Sequence, residues 1–215
     1  MLLSDVNRLL HFYEEGTQQA NEALEIFERI GNIGGQTHCL NQLAWLLFDR
    51  KQLNAAESAA SRAIDLVSEE GQEFLVCKLH RVLGCIHDSK GEKKKAIHHF
   101  ETALRIASPF NWHEALFWIH YDLAELSCGE GEFDNAHAYI KLAKLHAGDD
   151  PYQLGRAIRM RAEIWYQQRR LEDAKSEALN ALGIFEKSGA VNDAEICRDL
   201  LQIVEREMAN GSTSV

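Results

Sequence analysis

The sequence is poor in the residues that mark loops, membranes and reactive sites. It has two prolines in 215 residues, Pro109 and Pro151, too few for a loop-rich β protein. No apolar run approaches the roughly 18 residues of a membrane span, which argues against a membrane partner. The start, MLLSDVNRLL, carries an acid early and lacks a signal peptide's basic start and cleavage site. Cysteine is sparse and unpatterned: Cys39, Cys77, Cys85, Cys128 and Cys197 include no CxxC pair. Such an odd, scattered set reads as reduced, mostly buried thiols in a cytoplasmic protein. Cys77 and Cys85 share a helical face roughly 12 Å apart, too far for a disulfide. Net positive charge is absent as well. The formal net charge of −10 argues against nucleic acid, because a phosphate backbone demands a cationic surface.

Catalytic chemistry is equally thin. There is no HExxH and no glycine-rich loop after a strand. His80 with His87, and His113 with His120, share a helical face, but a metal needs three or four converging ligands. His98 and His99 are adjacent and point to different faces. The acidic pairs Glu69-Glu70 and Asp149-Asp150 fall at expected helix ends. Lys93-Lys94-Lys95 reads as a solvated helix start with no aromatic platform for RNA. Asn210-Gly211-Ser212 and Thr213-Ser214-Val215 match glycosylation and PDZ-ligand patterns that short tails often meet. The expectation is therefore no enzyme, no cofactor and no metal.

What the sequence does have is helix-forming residues in a repeated order. Hydrophobic residues make up 46%. Alanine, leucine and glutamate are abundant, and β-branched runs are scarce. The stretch from Leu79 to Pro109 parses as two amphipathic helices with a turn at Gly91. Its small residues are Gly84, Ala96 and Ala103, set among Leu83, Ile86, Ile97, Phe100, Leu104 and Ile106. Forty residues earlier stand Ala44, Ala56 and Ala63. Forty later stand Ala124, Ala136 and Ala143, and a further 38 on stand Ala162, Ala174 and Ala181. Gly16 and Ala23 extend the register towards the start. All fourteen positions are Ala or Gly, types that supply roughly a fifth of the chain.

Two helices per repeat with small residues at these three places resemble the tetratricopeptide repeat, whose usual length is 34 residues. The repeat here is about 40, and such long repeats resemble the arrays of kinesin light chains and of signal-transducing NTPases, notably fungal ones. The resemblance implies an all-α fold, a right-handed α-α superhelix or solenoid of antiparallel helix pairs. The expected segments are an incomplete first repeat over 1–31, repeats over 32–70, 71–110, 111–148 and 149–189, a capping helix over 190–209, and a flexible tail over 210–215. The first repeat has a complete second helix, residues 3–14 continuing as extra helix. A chain beginning inside a repeat is expected to fray there, or to self-associate through Leu9, Leu10 and Phe12.

In such arrays first helices line a concave groove that takes a peptide or a partner helix. The resemblance therefore implies a non-enzymatic protein-interaction scaffold. The alternative is the ligand-sensing arm of a larger, NTPase-type signalling protein. Groove candidates lie on the first helices, away from the small-residue stripe: Asn41 and Trp45; Lys78 and Arg81; Trp118, Tyr121 and Glu125; Arg156, Arg159 and Tyr166. Asn41, Arg81, Tyr121 and Arg159 recur at one place per repeat, as a row of donors would. Trp45, Phe48 and Trp118 equally suit packing between repeats. The Lys, Asn and Arg set with which co-chaperone arrays grip a terminal carboxylate is not matched in order, since Val82 interrupts it.

Overall fold

The computed structural model describes the backbone of residues 3–67 and 72–212, and the side chains of 13–67 and 72–210. Among these residues all regular structure is helical. The chain divides into two compact units, Met1–Phe110 and Asn111–Val215. The first holds α1 (Leu3–Arg29), α2 (Ile33–Asp49), α3 (Leu53–Leu66), α4 (Glu73–Ser89) and α5 (Lys93–Ala107), then a single 3-10 turn, Ser108–Phe110. The second holds α6 (His113–Gly129), α7 (Phe133–Ala147), α8 (Pro151–Gln167), α9 (Leu171–Ser188) and α10 (Val191–Ser212). Within each unit successive helices pair, as an α-solenoid requires. The first helices α2 and α4 also touch each other, as do α6 and α8.

The small-residue register is the packing code. Eleven of its twelve alanines, Ala44 through Ala181, are fully buried, and Ala23 is partly so. Without a long side chain, two helix backbones approach closely and neighbouring aliphatic groups fill the space. In the first unit those groups are Leu40, Leu43, Leu79, Val82, Leu83 and Ile86. In the second they are Phe117, Ile140, Met160 and Ile164, followed by Phe185, Leu201 and Val204. Gly84 marks a point of close approach, because a Cβ there would lie 2.5 Å from the Phe100 ring. Gly35 against Phe27 and Gly155 against Phe185 repeat this arrangement, a pairing that lies outside the alanine register.

The turns inside the repeats also follow the register. Gly91 and Gly131 adopt positive φ, 74° each, and Lys51 and Arg169 do so at the same place, with φ of 59° and 62°. Each turn closes with the same two bonds, for example Gly91 N–H to Asp88 O at 2.8 Å and Glu92 N–H to His87 O at 2.8 Å. The start of α8 is capped as its sequence suggests. Asp150 Oδ1 accepts from Tyr152 N–H at 2.8 Å, and Pro151 occupies the first turn.

Two features differ from expectation. In the last helix the spacing of Ile196, Leu200, Ile203 and Val204 predicts one buried apolar stripe. Leu200 and Val204 are buried, but Ile196 and Ile203 are each 45% exposed. The helix turns instead to seat Ala194, Cys197 and Leu201 on α9, since the smaller groups allow closer approach. It also continues through Ser212, into the expected tail. Residues 3–14 do run on as helix in α1. The side chains of Leu9, Leu10 and Phe12, Glu69-Glu70 and residues 213–215 lie outside the described part.

Candidate functional site

The groove candidates are described within each unit. In the first, Trp45 on α2 is half-buried, edge-on to Phe48 with ring centroids 5.8 Å apart. The guanidinium of Arg81, from α4, lies 4.9 Å from the Trp45 ring centroid. Lys78, one turn away and exposed, holds its ammonium 4.5 Å over Phe74. Both are cation–π pairs, which fix long cationic side chains over apolar surface. Asn41 is buried at the α2 end of this row.

The second unit holds a denser version. Arg156 on α8 lies 5.2 Å from the rings of both Trp118 and Tyr121 and 5.9 Å from Tyr152. Its ion pair is with Asp193 of α10, at 3.4 Å. Arg159 is buried; its Nη2 donates to the Tyr121 hydroxyl at 2.9 Å, and its Nη1 pairs with Glu163. Burial pushes the Tyr121 phenol up to about 12, although the two arginines act against the rise. Tyr166 donates to Glu207 Oε1 at 2.6 Å, and Arg169 pairs with the same carboxylate. Glu125 is exposed on α6.

The expected row of donors is mostly turned inward. Asn41, Tyr121 and Arg159 are buried, and Arg81 is stacked on Trp45. Their shared register places them where one first helix meets the next, α2 with α4 and α6 with α8. Arg159 there bonds to Tyr121 of the neighbouring first helix. The more exposed candidates are Lys78 and Glu125, with Trp45, Arg81, Trp118, Arg156 and Tyr166 half-buried beside them. Tyr152, Asp193 and Glu207 complete the second surface and were not anticipated. The separations gave a signal: Arg156–Asp193, Arg159–Tyr121 and Tyr166–Glu207 span 37, 38 and 41 residues, about one repeat.

The histidines gather on a different part of the repeat. His80 Nδ1 and His99 Nδ1 are 2.9 Å apart, and the His87 ring stacks on His99 with centroids 5.1 Å apart. His87 Nδ1 lies 2.8 Å from Glu92 Oε2. Burial, and then the neighbouring histidines, push His99 down to about 4. In the second unit His120, at the register of His80, stacks on His146 at 5.3 Å. Among the described residues no group of three or more His, Cys, Asp or Glu is placed to hold a metal. The five cysteines are free thiols, and burial raises Cys77 and Cys197 to about 11, which suppresses the reactive thiolate. No described helix is long and apolar enough to cross a membrane.

A family model described as tetratricopeptide repeat matches residues 82–109, the α4–α5 hairpin that carries Gly84, Ala96 and Ala103. This hairpin is a tetratricopeptide-type repeat, and the described helices form pairs of the same kind. No curated protein sequence matches it. Solved structures share its fold. BtubC (BKLC) from P. vanneervenii is 18% identical over 92% of both chains, with a TM-score of 0.67. A Rap protein complexed with Competence and Sporulation Factor is 17% identical, with a TM-score of 0.63, over 90% of this chain and 59% of its own. Aspartyl phosphate phosphatase F from Bacillus subtilis is 16% identical, with a TM-score of 0.63, over 94% of this chain and 58% of its own. This tetratricopeptide array therefore spans just under three fifths of the last two proteins. Identity at this level establishes the fold alone.

Proposed function

We propose that this protein is a non-catalytic interaction scaffold that binds a peptide or partner helix along its first helices. The observation that carries the reading is that each unit holds cations over aromatic rings: Lys78 on Phe74 and Arg81 on Trp45 in the first, and Arg156 among Trp118, Tyr121 and Tyr152 in the second. Aromatic and arginine side chains immobilised before binding lose little entropy when a partner arrives, and such groups dominate protein interfaces. The internal pairing of Arg159 with Tyr121 supports the same reading, because it stiffens the floor beside Arg156 in the second unit. A Rap protein of similar fold is complexed with Competence and Sporulation Factor, so a helical array of this type can receive a separate factor.

Affinity capture from the source cells supplies the partner. Lys78→Glu and Glu125→Lys then reverse charge at exposed positions on α4 and α6. Each is expected to weaken partner binding by about tenfold while leaving helicity and melting unchanged. Two variants that both bind like the parent would contradict the assignment.

A further inference from the structure

A cleft of about 300 Å³ lies in the first unit, between the second helices α1 and α3 and above the first helix α2. Its floor is apolar: Leu24, Leu40, Leu43 and Leu47. The repeat register explains why it is open. Ala55, Ser58 and Ala59 on α3 stand where α5 carries Lys95, His98 and His99, and where α9 carries Asp173, Ser176 and Glu177. On α5, His99 fills the corresponding trench by bonding to His80 and stacking on His87 of α4. On α9, Glu177 fills it by pairing with Arg161 of α8 at 2.6 Å, beside Lys144 of α7. The fold thus supplies its own polar occupant in two trenches and, among the described residues, no such occupant in the α1–α3 trench.

The charges of the lining restrict what enters. Arg62 is its one cation, and no Asp or Glu lines it among the described residues. Arg62 pairs with Glu28 on α1, outside the lining, and both side chains are well exposed, at 52% and 38%. An ion pair this exposed contributes little, so an incoming carboxylate exchanges with Glu28 at small cost. The volume lies at the lower end of small-molecule sites, roughly 300–1,000 Å³. We propose that this cleft binds a small amphipathic acid, with its hydrocarbon body on the leucine floor and its carboxylate on Arg62. The site is separate from the cation–aromatic row on the first helices, and neither depends on the other.

The test is calorimetric titration of the full chain with butanoate, octanoate and octan-1-ol. Octanoate should bind, with affinity rising about fourfold per methylene over butanoate. Octan-1-ol should bind about fivefold more weakly, because it cannot pair with Arg62. Ala59→His installs the side chain that α5 carries at this register and should weaken octanoate by about tenfold. Arg62→Gln, on the exposed rim and harmless to folding, should bring octanoate down to the level of the alcohol. Octanoate binding no better than butanoate, alcohol binding as well as acid, or undiminished binding to both variants would each overturn the proposal.

Discussion

Gly84 carries no side chain because the Phe100 ring occupies that space. Gly84→Ala would place a methyl 2.5 Å from the ring in a buried contact, and should cost about 1–3 kcal/mol in urea unfolding. Adding Phe100→Leu should return part of the loss. Gly183 on α9 is the control. A Cβ there meets nothing within 4 Å, so Gly183→Ala should gain about 0.5–1 kcal/mol from helix propensity. If both alanines destabilise equally, the packing account of the register fails. The turns permit an exchange of the same kind. Lys51 adopts φ of 59° where Gly91 adopts 74°. Lys51→Gly should stabilise and Gly91→Ala destabilise, each by about 0.5–1 kcal/mol, and thermal melts of the two variants check the signs. The alanine register was readable from sequence because backbone approach admits only small residues. The Gly35–Phe27 and Gly155–Phe185 contacts were not, since they lack a fixed place in that register.

The α4–α5 hairpin carries a pH response. His99 faces His80 and His87 of α4, His98 of its own helix and Glu57 of α3. Lys90 pairs with Glu57, Glu92 bonds to His87 and Lys95, and Arg105 acts on His80. Burial and the three histidines hold His99 at about 4 in the fold, against an ordinary value of about 6.5. The unfolded chain therefore binds the proton first as pH falls. The stabilisation is fully present above about pH 6.5 and is lost as pH drops from there through about 4. His80, His120 and His146 are shifted downwards as well, mainly by burial, and act in the same direction. The melting temperature should fall across this window. His99→Phe, which keeps a ring but no proton site, should flatten the slope. An equally steep slope in that variant would place the acid sensitivity elsewhere. The helix pattern showed that His80 and His87 share a face, but their convergence on His99 depends on how two helices are rotated against each other.

At the scale of the whole chain, helix content and repeat order were legible because small residues recur at 38–40-residue intervals, with apolar stripes between them. The candidate surface was legible only in part. The register identified Arg81, Tyr121 and Arg159 as equivalent, and each does lie on a first helix. It did not reveal that Tyr121 and Arg159 would bond to each other, because spacing along one helix does not say which neighbouring helix a side chain reaches. Tyr152, Asp193 and Glu207 entered the same surface from a helix start and from the last helix, where no pattern marked them. The central claim is that first helices, not second helices, meet the partner. Photo-crosslinking in the source cells tests it most directly, with a benzophenone side chain placed singly at Lys78 or Glu125, and at Glu101 or Lys141 on α5 and α7, all exposed positions. The account predicts a common protein adduct from positions 78 and 125 and none from 101 and 141. Adducts confined to 101 and 141 would contradict it.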